Sequence, residues 1–148
     1  MNCFKHVGIY VDNLEKESDF YKKTFQMSEV ITNNFEQNEM LNDLFKNNNV
    51  EILTTKLITP EGKKRGVGDM IELIKVCSFQ PSNCYNSHIY QTGTLHFAFG
   101  VDDIHNVCNL VLQNGGQLMT DVHKMKNNNM CAFIKDPEGN WIELIQNI

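Results

Sequence analysis

Two histidines and two glutamates stand at equivalent places in an internal repeat, and they are the residues of this chain best suited to chemistry. Ile71-Glu72-Leu73-Ile74 recurs unchanged as Ile142-Glu143-Leu144-Ile145, each set three residues after a glycine, Gly68 and Gly139. A second echo runs from Phe4-Lys5-His6-Val7-Gly8-Ile9-Tyr10-Val11-Asp12 to Thr94-Leu95-His96-Phe97-Ala98-Phe99-Gly100-Val101-Asp102. Each half therefore opens on a segment with one histidine, His6 or His96, and closes on one with a glutamate, Glu72 or Glu143. A lone strand histidine is more often a hydrogen-bonded structural residue than a ligand, and a lone glutamate in such a strand can simply face water. Their joint recurrence in a duplicated unit is harder to dismiss. Two imidazoles and two carboxylates make a mixed nitrogen and oxygen set for a divalent ion: zinc, nickel, cobalt, manganese or iron. Water in the remaining positions would leave room for a substrate.

These residues need strands to hold them. Residues 4–11 alternate, with Val7, Ile9 and Val11 on one face and His6, Gly8 and Tyr10 on the other. Strict period two predicts a strand. Asp12 with Glu15 makes a capping-box pattern ahead of a helix through Leu14, Phe20, Tyr21, Thr24 and Phe25, reaching about Met27. Strands are expected near 29–35, 50–58 and 69–77, with a short amphipathic helix over 38–45 and a loop over 60–68. The second half repeats the scheme more compactly. Strand 94–101 leads through Asp102-Asp103 to a helix ending before Gly115-Gly116. Short strands follow near 117–121 and 130–135, then a turn over 136–140 and a last strand at 141–146.

The faces of these strands indicate a pocket wall. His96 shares its side with Ala98 and Gly100, as His6 does with Gly8, while Phe97, Phe99 and Val101 take the opposite side. Glu72 lies with Met70 and Ile74, and Glu143 with Trp141 and Ile145. Small residues beside each histidine leave space, and the bulky face is the one to pack on helices. Each half reads β-α-β-β-β, so the fold class expected is α+β. The chain is expected to be a single domain over residues 1–148, with module one at about 1–80, a linker at about 78–92 and module two at about 93–148.

Composition narrows the function classes. With 148 residues, 41% of them hydrophobic and 21% charged, the chain can bury a core of its own. A net charge of -5 lacks the basic footprint of a nucleic-acid binder. Arg65 is the only arginine beside twelve lysines, too few guanidinium groups for extensive bidentate clamping of phosphates or carboxylates. Lys63-Lys64-Arg65 could meet an anionic substrate at a pocket mouth, although a charge run in a loop is usually just solvated. Five cysteines without a C-x-x-C pair suit a reducing compartment. No leader pattern or run of ~20 apolar residues is present, so a soluble cytoplasmic protein with no membrane partner is expected.

The chain resembles the vicinal oxygen chelate superfamily, which contains glyoxalase I, methylmalonyl-CoA epimerase, fosfomycin-resistance proteins and extradiol dioxygenases. The resemblance covers essentially the whole chain. It rests on H-V-G-I-Y-V-D-N-L at 6–14, F-Y-K-K-T-F at 20–25, I-E-L-I at 71–74, H-F-A-F-G-V-D-D-I at 96–104 and, most specifically, D-P-E-G-N-W-I-E-L-I-Q at 136–146. It implies two βαβββ modules in a cupped, incomplete mixed-sheet barrel with helices outside, around one metal ion. His6, Glu72, His96 and Glu143 match the family's ligand positions. Two histidines with two glutamates resemble the glyoxalase I arrangement. The epimerases typically carry glutamine at the position of Glu72, and the dioxygenases and fosfomycin enzymes have no carboxylate there.

What the resemblance implies for function is proton transfer on a small molecule that chelates the metal through neighbouring oxygens, by a lyase or isomerase. The implied base is Glu143, with Glu72 as a second catalytic carboxylate. The glyoxalase I substrate is a glutathione adduct whose carboxylates are held by arginines, which this chain lacks apart from Arg65. A small 2-oxo or 2-hydroxycarbonyl compound, free or as a thiol or CoA conjugate, is therefore the expected substrate. The alternatives are an antibiotic-resistance binding protein or thiol transferase of the same fold and, behind it, an iron dioxygenase. A homodimer is expected, because modules of this family commonly pair across chains.

Overall fold

The computed structural model describes residues 3–80 and 88–147. The chain divides into two units, Met1–Ser82 and Asn83–Ile148, and each builds its own open mixed sheet rather than a closed barrel. Residues 81–87 of the expected linker lie outside the described residues, as does Cys84.

In the first unit, β1 (His6–Tyr10) leads to α1 (Leu14–Phe25), β2 (Ser28–Glu36), α2 (Glu39–Phe45), β3 (Ile52–Ile58), α3 (Pro60–Arg65) and β4 (Met70–Val76). The sheet order is β1-β4-β3-β2, with β1 parallel to β4 and the other pairs antiparallel. Period-two alternation gives β4 one fully buried side, Ile71 and Leu73, which joins Leu57 of β3 and Ile9 of β1. Phe20 and Tyr21 of α1 are buried with them. On the other side, Ile74, Val76, Phe45 and Phe79 pack on a cluster of Leu41, Val50 and Ile52. The short helix α2 therefore covers one end of the face that carries His6 and Glu72.

Two local expectations change. Asn13 rather than Asp12 caps α1: its backbone is extended and its side chain accepts from the Lys16 amide at 3.0 Å, satisfying one orphan donor of the first turn. The 60–68 segment is not all loop. Thr59 accepts from the Gly62 amide and Pro60 opens the turn, so six residues form α3. Gly62 is required there, because a Cβ would lie 2.9 Å from both Asp69 Cβ and the Gly68 carbonyl oxygen. Within this segment Arg65 pairs with Asp69, and Lys64 with Glu61, so two of the three basic residues are occupied locally.

The second unit runs β5 (His96–Gly100), α4 (Ile104–Gln113), β6 (Gln117–Leu118), β7 (His123–Lys124), β8 (Met130–Lys135) and β9 (Trp141–Gln146). Its order is β5-β9-β8-β6, with β7 also pairing β8, and β5 is parallel to β9. Ala132, Ile134, Ile142 and Leu144 form its buried side with Ile104, Cys108 and Val111 of α4. Of the Asp102-Asp103 pair expected to cap it, Asp103 does so, accepting from the Asn106 amide. The two-residue strand β7 was not legible in the polar sequence around it.

Candidate metal and proton-transfer site

Each sheet sets a histidine beside a glutamate by the same device. In the first unit β4 lies next to β1, and the register places Gly8 opposite Glu72, so His6 is one side chain along on the same face. His6 Nε2 stands 3.0 Å from Glu72 Oε2. In the second unit β9 lies next to β5, Ala98 is opposite Glu143, and His96 Nε2 stands 3.4 Å from Glu143 Oε2. Residues without bulk at Gly8 and Ala98 let the imidazole reach across. A Cβ at Gly8 would meet only Ile74 Cδ1, at 3.5 Å, and one at Gly100 would meet nothing within 4 Å. The expected open space beside each histidine is thus present.

All four side chains keep partial solvent access, between 15% for Glu72 and 42% for His96. That is more exposure than the residues of either core have. The spacing also suits coordination. Ligand atoms about 2.0–2.2 Å from one ion are about 3.0 Å apart at a right angle and about 3.4 Å apart at the tetrahedral angle. Both pairs fall in that range, so the donors fit adjacent positions on a divalent ion. Among the described residues no group of three or more His, Cys, Asp or Glu side chains is gathered in one place. The four side chains therefore form two pairs, one per unit.

The surroundings of the pairs differ. Lys56 of β3 is directly across from Glu72, and its Nζ stands 3.1 Å from Glu72 Oε1. Glu72 thus has a partner on each oxygen. At the equivalent place in the second sheet, Phe133 is across from Glu143, and its ring stands edge-on to His96 with centroids 5.2 Å apart. The cation of that strand, Lys135, lies two pairs further along, 4.4 Å over the Trp141 ring. The pattern of the sequence placed Trp141 and Ile145 beside Glu143, but Lys56 and Phe133 were not picked out. Finding them needs the register between β3 and β4 and between β8 and β9, which no sequence spacing states.

Tyr10 completes the first face. It is packed edge-on against Phe45, with centroids 6.0 Å apart, and Phe45 against Phe79 in the same way. Burial, and secondarily the negative charge of Glu72, push its phenol above the ordinary value, so it stays a neutral hydrogen-bonding group. In the second unit the Cys131 thiol is raised by burial and then by Glu143. A thiol so shifted is a poor nucleophile at neutral pH.

Comparison with known proteins agrees with the fold. A probable lactoylglutathione lyase of Vibrio cholerae is 31% identical over 146 residues, spanning 96% of this chain and 88% of that protein. A glyoxalase family protein from Bacillus cereus superposes with a TM-score of 0.85 at 18% identity, covering 99% of this chain and 94% of that one. A fosfomycin resistance protein from Listeria monocytogenes superposes at 0.64 with 12% identity, covering 100% and 95%. The pattern of the Glyoxalase/Bleomycin resistance protein/Dioxygenase superfamily matches residues 4–144, and the chain belongs to that superfamily.

Proposed function

We propose that the protein is a metal-dependent lyase or isomerase that moves a proton on a small molecule with two neighbouring oxygens. The observation that carries this reading is the repeated His–Glu pair, His6 with Glu72 and His96 with Glu143, each at the spacing of adjacent ligands. In this reading the His–Glu pairs would hold a divalent ion. Such an ion would act as a Lewis acid, stabilising the oxygen that gains charge when the C–H next to a carbonyl is deprotonated. Glu143 takes that proton and returns it to the neighbouring carbon, so that no net oxidation occurs. A carboxylate suits both halves of that exchange when the group it serves is held within hydrogen-bond reach. Glu72 acts as the second carboxylate. The substrate is a 2-oxo or 2-hydroxycarbonyl compound, free or carried on a thiol or CoA. The likeness to a probable lactoylglutathione lyase supports the same class of reaction.

The active form in this reading is a homodimer in the cytoplasm. Sedimentation should give a particle of twice the 17.1 kDa chain mass, and a monomer would remove the dimer from the proposal. The activity is tested by incubating metal-loaded protein in deuterium oxide with a panel of carbonyl substrates. Exchange of the C–H next to the carbonyl is expected for at least one. A panel without exchange, in protein that holds metal, would remove proton transfer.

One observation favours a second reading, a resistance protein that binds or transfers a thiol to an antibiotic. Lys56 occupies one oxygen of Glu72, which leaves Glu143 as the less encumbered of the two carboxylates. The likeness to a fosfomycin resistance protein supports a fold able to do this. Thiol-dependent loss of fosfomycin without deuterium exchange would select this reading.

A further inference from the structure

Lys56 occupies an unusual place. It is the fifth of the seven residues of β3, an interior strand paired on both sides, and its neighbours along the chain are Thr54, Thr55, Leu57 and Ile58, all buried. A lysine at such a position gives up much of its hydration, and that loss is offset only by a paired charge. Glu72 is that charge, at 3.1 Å, and the lysine side chain remains 27% exposed on the face shared with His6. Nothing comparable faces Glu143, whose charge partner among the described residues is His96. The two halves of the repeat therefore offer unequal glutamates.

We propose that Lys56 is a positioning residue that acts as an internal counter-cation for Glu72, competing with a divalent metal ion for that carboxylate. This rests on the proposed metal site and adds to it a ranking of its ligands. Oε1 of Glu72 is held by the ammonium, and Oε2 alone is presented beside His6. An ion approaching Glu72 must share the carboxylate with Lys56 and meet a like charge a few ångströms away, a repulsion weakened but not removed by partial solvation. Within this unit His6 then supplies more of the affinity than Glu72 does. Glu72 contributes fully only when Lys56 is displaced or removed.

A double-mutant cycle on metal affinity tests this without any substrate. Titration calorimetry with cobalt(II) would compare the unaltered protein, Lys56→Met, Glu72→Gln and the double variant. Lys56→Met should tighten binding by about tenfold, while Lys56→Arg, which keeps the charge, should leave it within about threefold of the unaltered protein. Glu72→Gln should weaken binding less than about threefold when Lys56 is present and about tenfold or more when it is not. Such non-additivity is what a direct competition predicts, because general effects of either change cancel around the cycle. The visible spectrum of bound cobalt should also change in Lys56→Met, where both oxygens of Glu72 become available, and a merely structural lysine would not alter it. Circular dichroism identifies a variant that has lost its fold. In that event Lys56→Gln and Lys56→Arg carry the comparison. Equal effects of Glu72→Gln in both backgrounds would overturn the competition and leave the metal site standing, provided the unaltered protein binds cobalt. If none of the proteins binds cobalt, the metal site and the competition fall together.

Discussion

Lys56 and Glu72 face one another across two antiparallel strands with 3.1 Å between ammonium and carboxylate, while the residue across from Glu143 is Phe133. The two halves share a histidine and a glutamate and differ in the residue across from the glutamate. A carboxylate bound on both oxygens is a restrained group. One bounded by a phenyl ring and an imidazole has more freedom to bind, release and rebind a proton.

Glu143→Gln should keep much of the metal affinity, because an amide oxygen can still coordinate, yet lose proton transfer. A positioned base typically contributes on the order of 10²–10⁴ in rate. Glu72→Gln should be milder in both respects. Deuterium exchange and metal titration on the two variants check this together. Near-normal exchange in Glu143→Gln with none in Glu72→Gln would reverse the roles.

Metal removal should lower thermal stability. An ion at 100 times its dissociation constant stabilises the folded state by about 2.7 kcal/mol, which corresponds to a shift of several degrees in Tm for a chain of this size. Chelator-treated protein should melt lower than protein returned to zinc or nickel. His6→Ala and His96→Ala should each abolish most of that difference. Melting curves that do not respond to metal would contradict the proposed site.

Acid should weaken the junction of α1 with β2 in a defined window. Glu29 accepts from Lys22 at 2.9 Å, Ser18 at 2.8 Å and Thr32 at 2.7 Å. The bond from Lys22 comes first and those from Thr32 and Ser18 follow in holding its carboxyl down from 4.5 to about 2. A folded-state value below the unfolded one means the stabilisation is complete above about pH 4.5 and is lost as pH falls towards 2. Glu29→Gln should therefore lower stability above about pH 4.5 and converge with the unaltered protein as pH falls towards 2, which flattens the profile in that range. Urea unfolding across pH 2.5–6 would show it, and parallel profiles for the two proteins would exclude it.

The turn before β9 should be sensitive to its carboxylate. Asp136 is buried and accepts from the Glu138 and Asn140 amides at 3.2 and 2.8 Å and from Asn140 Nδ2 at 2.7 Å. Those bonds, with Gly139 at φ +94°, set where Trp141 enters the sheet and thus the register of Glu143. Asp136→Ala should destabilise the protein by about 1–3 kcal/mol, the usual consequence of stranding buried donors. Asp136→Asn, which keeps one acceptor, should be milder. Chemical denaturation distinguishes the two, and equal losses would mean that the bonds contribute less than the space they fill.

Much of the architecture could be read along the chain because it depends on local chemistry. Alternation in H-V-G-I-Y-V and I-E-L-I places side chains on opposite faces whatever the neighbours are, since the pleat has period two. Repetition of those segments then linked His6 to Glu72 and His96 to Glu143. The last strand, 141–146, has the limits expected of it, and the cap of α4 falls within the expected Asp102-Asp103 pair. The short helix α3 was obscured by its glycine and proline, because its first turn depends on the Thr59 cap and on close contact with Gly68 and Asp69.

The sequence by itself determined which residues could act and which face of each strand bears them. Strand order and register were decided only in three dimensions. Lys56 and Glu72 are separated by α3 and its flanking turns, and a slip of one residue between β3 and β4 would send the ammonium to the opposite side of the sheet. That register comes from hydrogen bonds and burial shared by whole strands, with Leu57 beside Ile71 and Thr55 beside Leu73 on the buried side. No single residue states it. The difference between the two glutamates therefore exists only once the sheets are assembled.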